Sequence, residues 1–144
     1  MKIFKAEQWN INVLLPLFEA YRLANGMTNN PDRTLTFLTN RMRFNESIFF
    51  IAVNENSQPV GFIQLYPRLS SLRLQRYWQL TDIFVREDVC QPDVYSALIS
   101  KAKEFVRYTQ SNRLVTELDP IQQSMLENEG FKLNTKKNLF ELTL

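Results

Sequence analysis

The chain has 144 residues, of which 44% are apolar and 22% charged, and carries a net charge of +2. That length suits one domain with a sizeable core, and the balance excludes a disordered chain, a fibrous repeat and a strongly basic nucleic-acid binder. A lone cysteine, Cys90, excludes an internal disulfide, and the lack of histidine excludes His-based nucleophile pairs and His-containing zinc sites.

Residues 1–5 read as a short edge strand. From Gln8, the residues Trp9, Val13, Leu14, Leu17, Phe18 and Tyr21 recur at helical spacing, Pro16 threatens a kink, and Asn25-Gly26 marks the stop. Asn30 as cap and Pro31 in the first turn announce a second helix with Leu35, Leu38 and Met42 as its stripe. The continuous apolar run 48–53 is a buried strand, and a polar turn at 54–59 joins it in a hairpin to a strand over 60–66. Residues 69–75 are expected as loop, and the local basic group Arg68, Arg73 and Arg76 reads as its solvated face. A third strand over 77–85 places Trp78, Leu80 and Phe84 on one alternation and Ile83 and Val85 on the other. The clearest helix spans 92–111, with Val94, Leu98, Ala102 and Phe105 on one face. A parallel strand at 114–118, a short helix at 121–129, a strand begun by Phe131 and Leu133, and a closing strand at 139–144 complete the chain. The fold class is α/β: a mixed sheet covered by helices on both faces, in the order β-α-α-β-β-β-α-β-α-β with one further strand in view, within a single domain over 1–144.

Three strings in this order carry a resemblance. Gln58-Pro59-Val60-Gly61-Phe62 opens the strand before the basic group, Leu80-Thr81-Asp82-Ile83-Phe84-Val85 ends the next, and Met125-Leu126-Glu127-Asn128-Glu129-Gly130-Phe131 carries the last helix to its end. Together they resemble the GNAT N-acetyltransferases over nearly the whole chain. The resemblance implies acetyl-CoA as co-substrate and an amine as acceptor. It implies that the pantetheine pairs with the backbone of Ile83, Phe84 and Val85, and that the pyrophosphate sits at the start of the following helix, where orphan amides and the helix dipole attract anions. Asp119 falls where a cofactor-contacting Asn is common in that family.

The chain departs from the family's glycine-rich loop. Cys90-Gln91-Pro92-Asp93-Val94-Tyr95-Ser96 stands in its place, with Gln91, Asp93 and Tyr95 at the three glycine positions. Pro92 removes an N–H donor, side chains crowd the backbone, and the Asp93 carboxylate opposes a nearby phosphate charge by roughly 1–3 kcal/mol. Asp93 is expected to cap the helix itself. Leu126 replaces the tyrosine that protonates the leaving thiolate in many members, and Tyr95 and Ser124 are the nearest hydroxyls in sequence.

Asp82, inside an apolar strand, is the candidate general base, because desolvation is what turns a carboxylate into one. A structural carboxylate bonded to neighbouring backbone or arginine is the competing reading. Glu117 and Asp119 follow the fifth strand at the end where an amine arrives, and Tyr66 and Tyr77 are candidates to line the acceptor pocket, with Trp78 in the core. Two functions stay open: an acetyl-CoA-dependent N-acetyltransferase, or a GNAT-shaped module that binds without catalysing. The expected compartment is the cytoplasm, since no leader or bilayer-spanning run is visible. Neither nucleic acid nor membrane is an expected partner, and related domains often pair through sheet edges, which makes a homodimer an assembly to test.

Overall fold

The computed structural model describes residues 1–117 and 122–144. Its elements are β1 (Lys2–Lys5), α1 (Ile11–Ala24), α2 (Pro31–Arg43), β2 (Ile48–Val53), β3 (Pro59–Ser70), β4 (Gln75–Val85), α3 (Gln91–Tyr108), β5 (Arg113–Glu117), α4 (Gln123–Asn128), β6 (Lys132–Asn134) and β7 (Leu139–Thr143). The strands form one sheet in the order β1-β2-β3-β4-β5-β7-β6. Among the described residues, only β4 and β5 pair in parallel, joined by α3 as a crossover.

The continuous apolar run of β2 has the pattern a doubly covered strand requires. Phe49, Ile51 and Val53 meet α1 and α2 in one cluster with Leu14, Leu17, Phe18, Leu38 and Phe62. Phe50 and Ala52 face the opposite cluster, where α3 contributes Val94, Leu98, Ile99, Ala102 and Val106. The helices therefore lie on both faces. Pro16 sits inside α1 without dividing it. Trp9 leaves the apolar stripe: it belongs to a 3-10 turn over Gln8–Asn10 and is 79% exposed. On α2, Asn30 caps through its side chain to the Arg33 amide, while Leu35 is exposed rather than packed.

Two corrections concern β3 and β4. The expected loop shrinks to a turn over 71–74, because Pro67↔Trp78 through Ser70↔Gln75 continue the hairpin well past the sheet and take Leu69, Ser70 and Gln75 into strand. The expected alternation of β4 also fails. Gln64 pairs with Asp82 but Leu65 with Leu80, so Thr81 is an extra residue, a β-bulge. The bulge turns Trp78 and Leu80 onto the α3 face with Ile83 and Val85, while Phe84 packs toward α1.

The helix expected from 121 is described over Gln123–Asn128, and its expected first residue lies outside the described residues. Phe131 packs beneath the sheet just before β6, and β7 inserts between β5 and β6. No helix among the described residues is long and apolar enough to cross a membrane.

Candidate active site

Pairing of β4 with β5 stops at Leu80↔Thr116. The Thr116 hydroxyl donates to the Leu80 carbonyl at 3.0 Å, finishing the ladder with a side chain. Beyond that point the bulged part of β4 diverges from β5 and a cleft of about 610 Å³ opens between them.

The backbone of β4 lines this cleft in an orderly way. The Arg86 amide bonds the Val60 carbonyl on the β3 side. The Val85 carbonyl, on the other side, accepts from Gln91 Nε2 at 3.0 Å. Alternation along an antiparallel strand then turns the N–H and C=O of Ile83 and the N–H of Val85 toward the cleft. These are open-edge donors and acceptors, arranged to pair with an extended amide-bearing ligand.

Asp82 lies on the cleft wall, partly buried, and is held at both oxygens. Tyr21 of α1 donates its hydroxyl to Oδ1 at 2.6 Å, and Gln64 of β3 donates Nε2 to Oδ2 at 2.6 Å. Among the described residues the partners of Asp82 are thus side chains from two other elements, α1 and β3. Tyr66 stands on the same face as Gln64; burial pushes its phenol up, and the Asp82 charge adds to that, so it stays protonated. Glu87 and Glu117 add two more carboxylates to the cleft. A second hollow of about 440 Å³ shares Gln79, Thr116 and Glu117 with the first and is bounded by Arg68, Tyr77 and Lys137.

No family model matches the chain. It is 72% identical to a "Probable acetyltransferase" of Haemophilus influenzae, over its full length and 99% of that protein. The crystal structure of a probable acetyltransferase superposes with a TM-score of 0.89 at 34% identity, covering 94% of this chain and 93% of that one. A predicted acetyltransferase of Clostridium acetobutylicum, crystallised with acetyl-CoA, shares the fold, with a TM-score of 0.75 at 12% identity over 92% and 90% of the two chains. The chain belongs to the GNAT N-acetyltransferases.

As a GNAT chain it gathers some of the residues read from its sequence and scatters others. Asp82, Ile83, Phe84, Val85, Gln91 and Tyr95 all line the one cleft, together with Glu117. Pro92 and Asp93 are exposed on the first turn of α3 and Ser96 on the second, and Val94 points into the core. The expected self-capping is not made: Cys90, the N-cap residue, gives no side-chain bond, and Asp93 makes none among the described residues. With Pro92 lacking an N–H and the Val94 amide bonded to the Cys90 carbonyl, the Gln91 and Asp93 amides are what the turn offers an anion. Asp119 lies outside the described residues. Leu126 is core, Trp78 is core with its indole N–H on Thr109 at 2.9 Å, and Ser124 is exposed away from the cleft lining.

Sequence reasoning missed Tyr21 and Gln64 as site residues. Tyr21 was visible only as one member of a helical apolar stripe, and a glutamine inside an apolar strand was the one available signal for Gln64.

Proposed function

We propose that this GNAT acetyltransferase binds acetyl-CoA along the β4 edge and transfers the acetyl group to an amine held near Asp82, within one domain. The observation that carries this reading is the juxtaposition of open β4 backbone at Ile83 and Val85 with a doubly anchored carboxylate at Asp82. The fit of the pantetheine arm rests on those unpaired ladder groups, and the shared fold of the relative crystallised with acetyl-CoA supports it.

In the proposed step the Asp82 carboxylate takes a proton from the acceptor ammonium through a lone pair that Tyr21 and Gln64 leave open. The amine nitrogen then bonds the thioester carbon, the C–S bond breaks, the sulfur leaves as thiolate, and the nitrogen gives its second proton to solvent water to leave a neutral amide. Tyr95, on the cleft wall near the start of α3, is the proposed proton donor to that sulfur, in place of the family tyrosine that Leu126 replaces. The β4 amides steady the carbonyl oxygen as charge develops. No observation favours the non-catalysing module over the enzyme. Cytoplasm is the proposed compartment, supported by the exposed thiol of Cys90, which an oxidising compartment would leave open to pairing. A homodimer through sheet edges remains a proposal that the outer strands β1 and β6 permit.

The test is acetyl transfer measured by mass spectrometry over an amine panel, beside calorimetric titration with acetyl-CoA. D82N is expected to lower kcat/KM by about 10²–10⁴-fold with acetyl-CoA affinity intact. A D82N enzyme with full activity removes Asp82 from the mechanism.

A further inference from the structure

The outer half of the β3–β4 hairpin has no neighbouring strand. β2 stops pairing at Leu65 and β5 begins at Trp78, so residues 66–77 form an arm that projects from the sheet. Apolar side chains cluster there in the open: Leu69 is 77%, Leu72 99% and Leu74 89% exposed. Leu74 is also held in the left-handed region at φ 55°, a conformation that a leucine rarely adopts. Arg68, Arg73 and Arg76 are interleaved with the leucines, and among the described residues none of the three has an ion-pair partner. No carboxylate occurs between Glu55 and Asp82. Isolated exposed leucines are ordinary, but three on one projecting arm, with three unpaired cations, form a contact surface lacking its partner.

We propose that this arm docks a protein or peptide acceptor through a segment bearing acidic and apolar residues, and so delivers that molecule's amine to the cleft. The proposal rests on the acetyltransferase reading above and names its substrate class. Two observations select the occupant. Every charged residue of the arm is a cation and three of its exposed side chains are leucines, so the complementary surface is anionic and apolar. The arm is also continuous with the acceptor side of the site: Arg68 and Tyr77 bound the hollow that shares Gln79 and Glu117 with the cleft. A segment lying along the arm therefore leads its amine toward Glu117 and Asp82, carboxylates suited to an ammonium. A second copy of this chain meeting arm to arm is disfavoured, because a two-fold contact would set the three arginines against their own images.

The test compares two synthetic lysine peptides of equal length, one with Glu and Leu flanking the lysine and one with Arg and Leu, alongside a small primary amine. Wild-type enzyme is expected to prefer the acidic peptide over the basic one by about tenfold in kcat/KM. The double variants L72S/L74S and R73E/R76E lie outside the cleft lining. Each is expected to abolish that preference by raising KM, with kcat/KM for the small amine unchanged. Equal use of both peptides by wild type, or peptide kinetics unmoved by either variant, overturns the proposal. So does a shift from dimer to monomer in the variants by light scattering, or arm-dependent flotation with phosphatidylglycerol vesicles without peptide preference. If wild type acetylates no amine, the activity reading fails on its own. Fluorescence anisotropy with the labelled acidic peptide then still decides the docking, which requires binding by wild type and at least a fivefold loss in both variants.

Discussion

At Tyr21 the ring and the hydroxyl do separate work. The ring packs edge-on against Phe62 with centroids 5.5 Å apart, and the hydroxyl reaches Asp82. Y21F keeps the packing and removes one anchor, so melting should be nearly unchanged while kcat/KM falls by about tenfold, the scale of one hydrogen bond to a charged group. Gln64 gives a sharper separation. It is 1% exposed, its Nε2 serves Asp82, and its Oε1 has no partner among the described residues. An unsatisfied buried acceptor costs about 1–3 kcal/mol and is retained where another atom of the group is needed. Q64L should therefore hold or raise the melting temperature while lowering kcat; a loss of stability with activity intact would make Gln64 purely structural. Gln91 is the third case. Its amide occupies the Val85 carbonyl that an extended ligand would use. Removing it with Q91A should tighten acetyl-CoA binding by about fivefold in calorimetry, equivalent to one net hydrogen bond of ~1 kcal/mol.

Among elements, the β3–β4 pair fixes the shape of the site. Gly61 allows the two strands to approach, since a Cβ there would stand 2.8 Å from the Phe84 carbonyl oxygen, an atom of the backbone that cannot swing aside. G61A should cost about 2 kcal/mol and displace the β4 edge, so urea unfolding and acetyl-CoA affinity should worsen together. The junction of α1 with α2 is fixed by Glu19, which accepts from the Thr34 hydroxyl, from the Asn30 amide at 2.8 Å and from Arg22 at 3.1 Å. This clamp was not legible in the sequence. A glutamate in an apolar stripe looks like a solvent-facing interruption until the start of α2 is folded back onto it.

For the molecule as a whole, two carboxylates, Glu19 buried and Glu141 partly buried, predict how stability depends on pH. Burial alone pushes the Glu19 carboxyl up, but Thr34, Asn30 and Arg22 together hold it below the ordinary carboxylate range. On β7, the hydrogen bond from Arg113 holds Glu141 below that range despite burial. Both groups are depressed in the folded state, so their contribution is full above the unfolded value of about pH 4 and is lost as pH falls through the folded values. Melting temperature should drop steeply on acidification below about pH 4, and the double variant E19Q/E141Q should flatten that slope while melting lower at neutral pH.

The sequence by itself determined the number and order of most elements, the doubly buried β2, the α3 crossover and the kinship, because these depend on periodicity, capping and short strings that are local in the chain. It also marked Asp82 and the Ile83–Val85 strand. The tertiary structure alone decided which face each β4 residue takes, because one extra residue at Thr81 reverses the alternation and shows only against its partner strand. It also decided that the ends of a stretch read as loop are paired, since the lateral bonds that make 67–70 and 75–77 strand come only from each other. And it decided what holds Asp82, because Tyr21 lies 61 positions away and meets it only when α1 lies across the sheet.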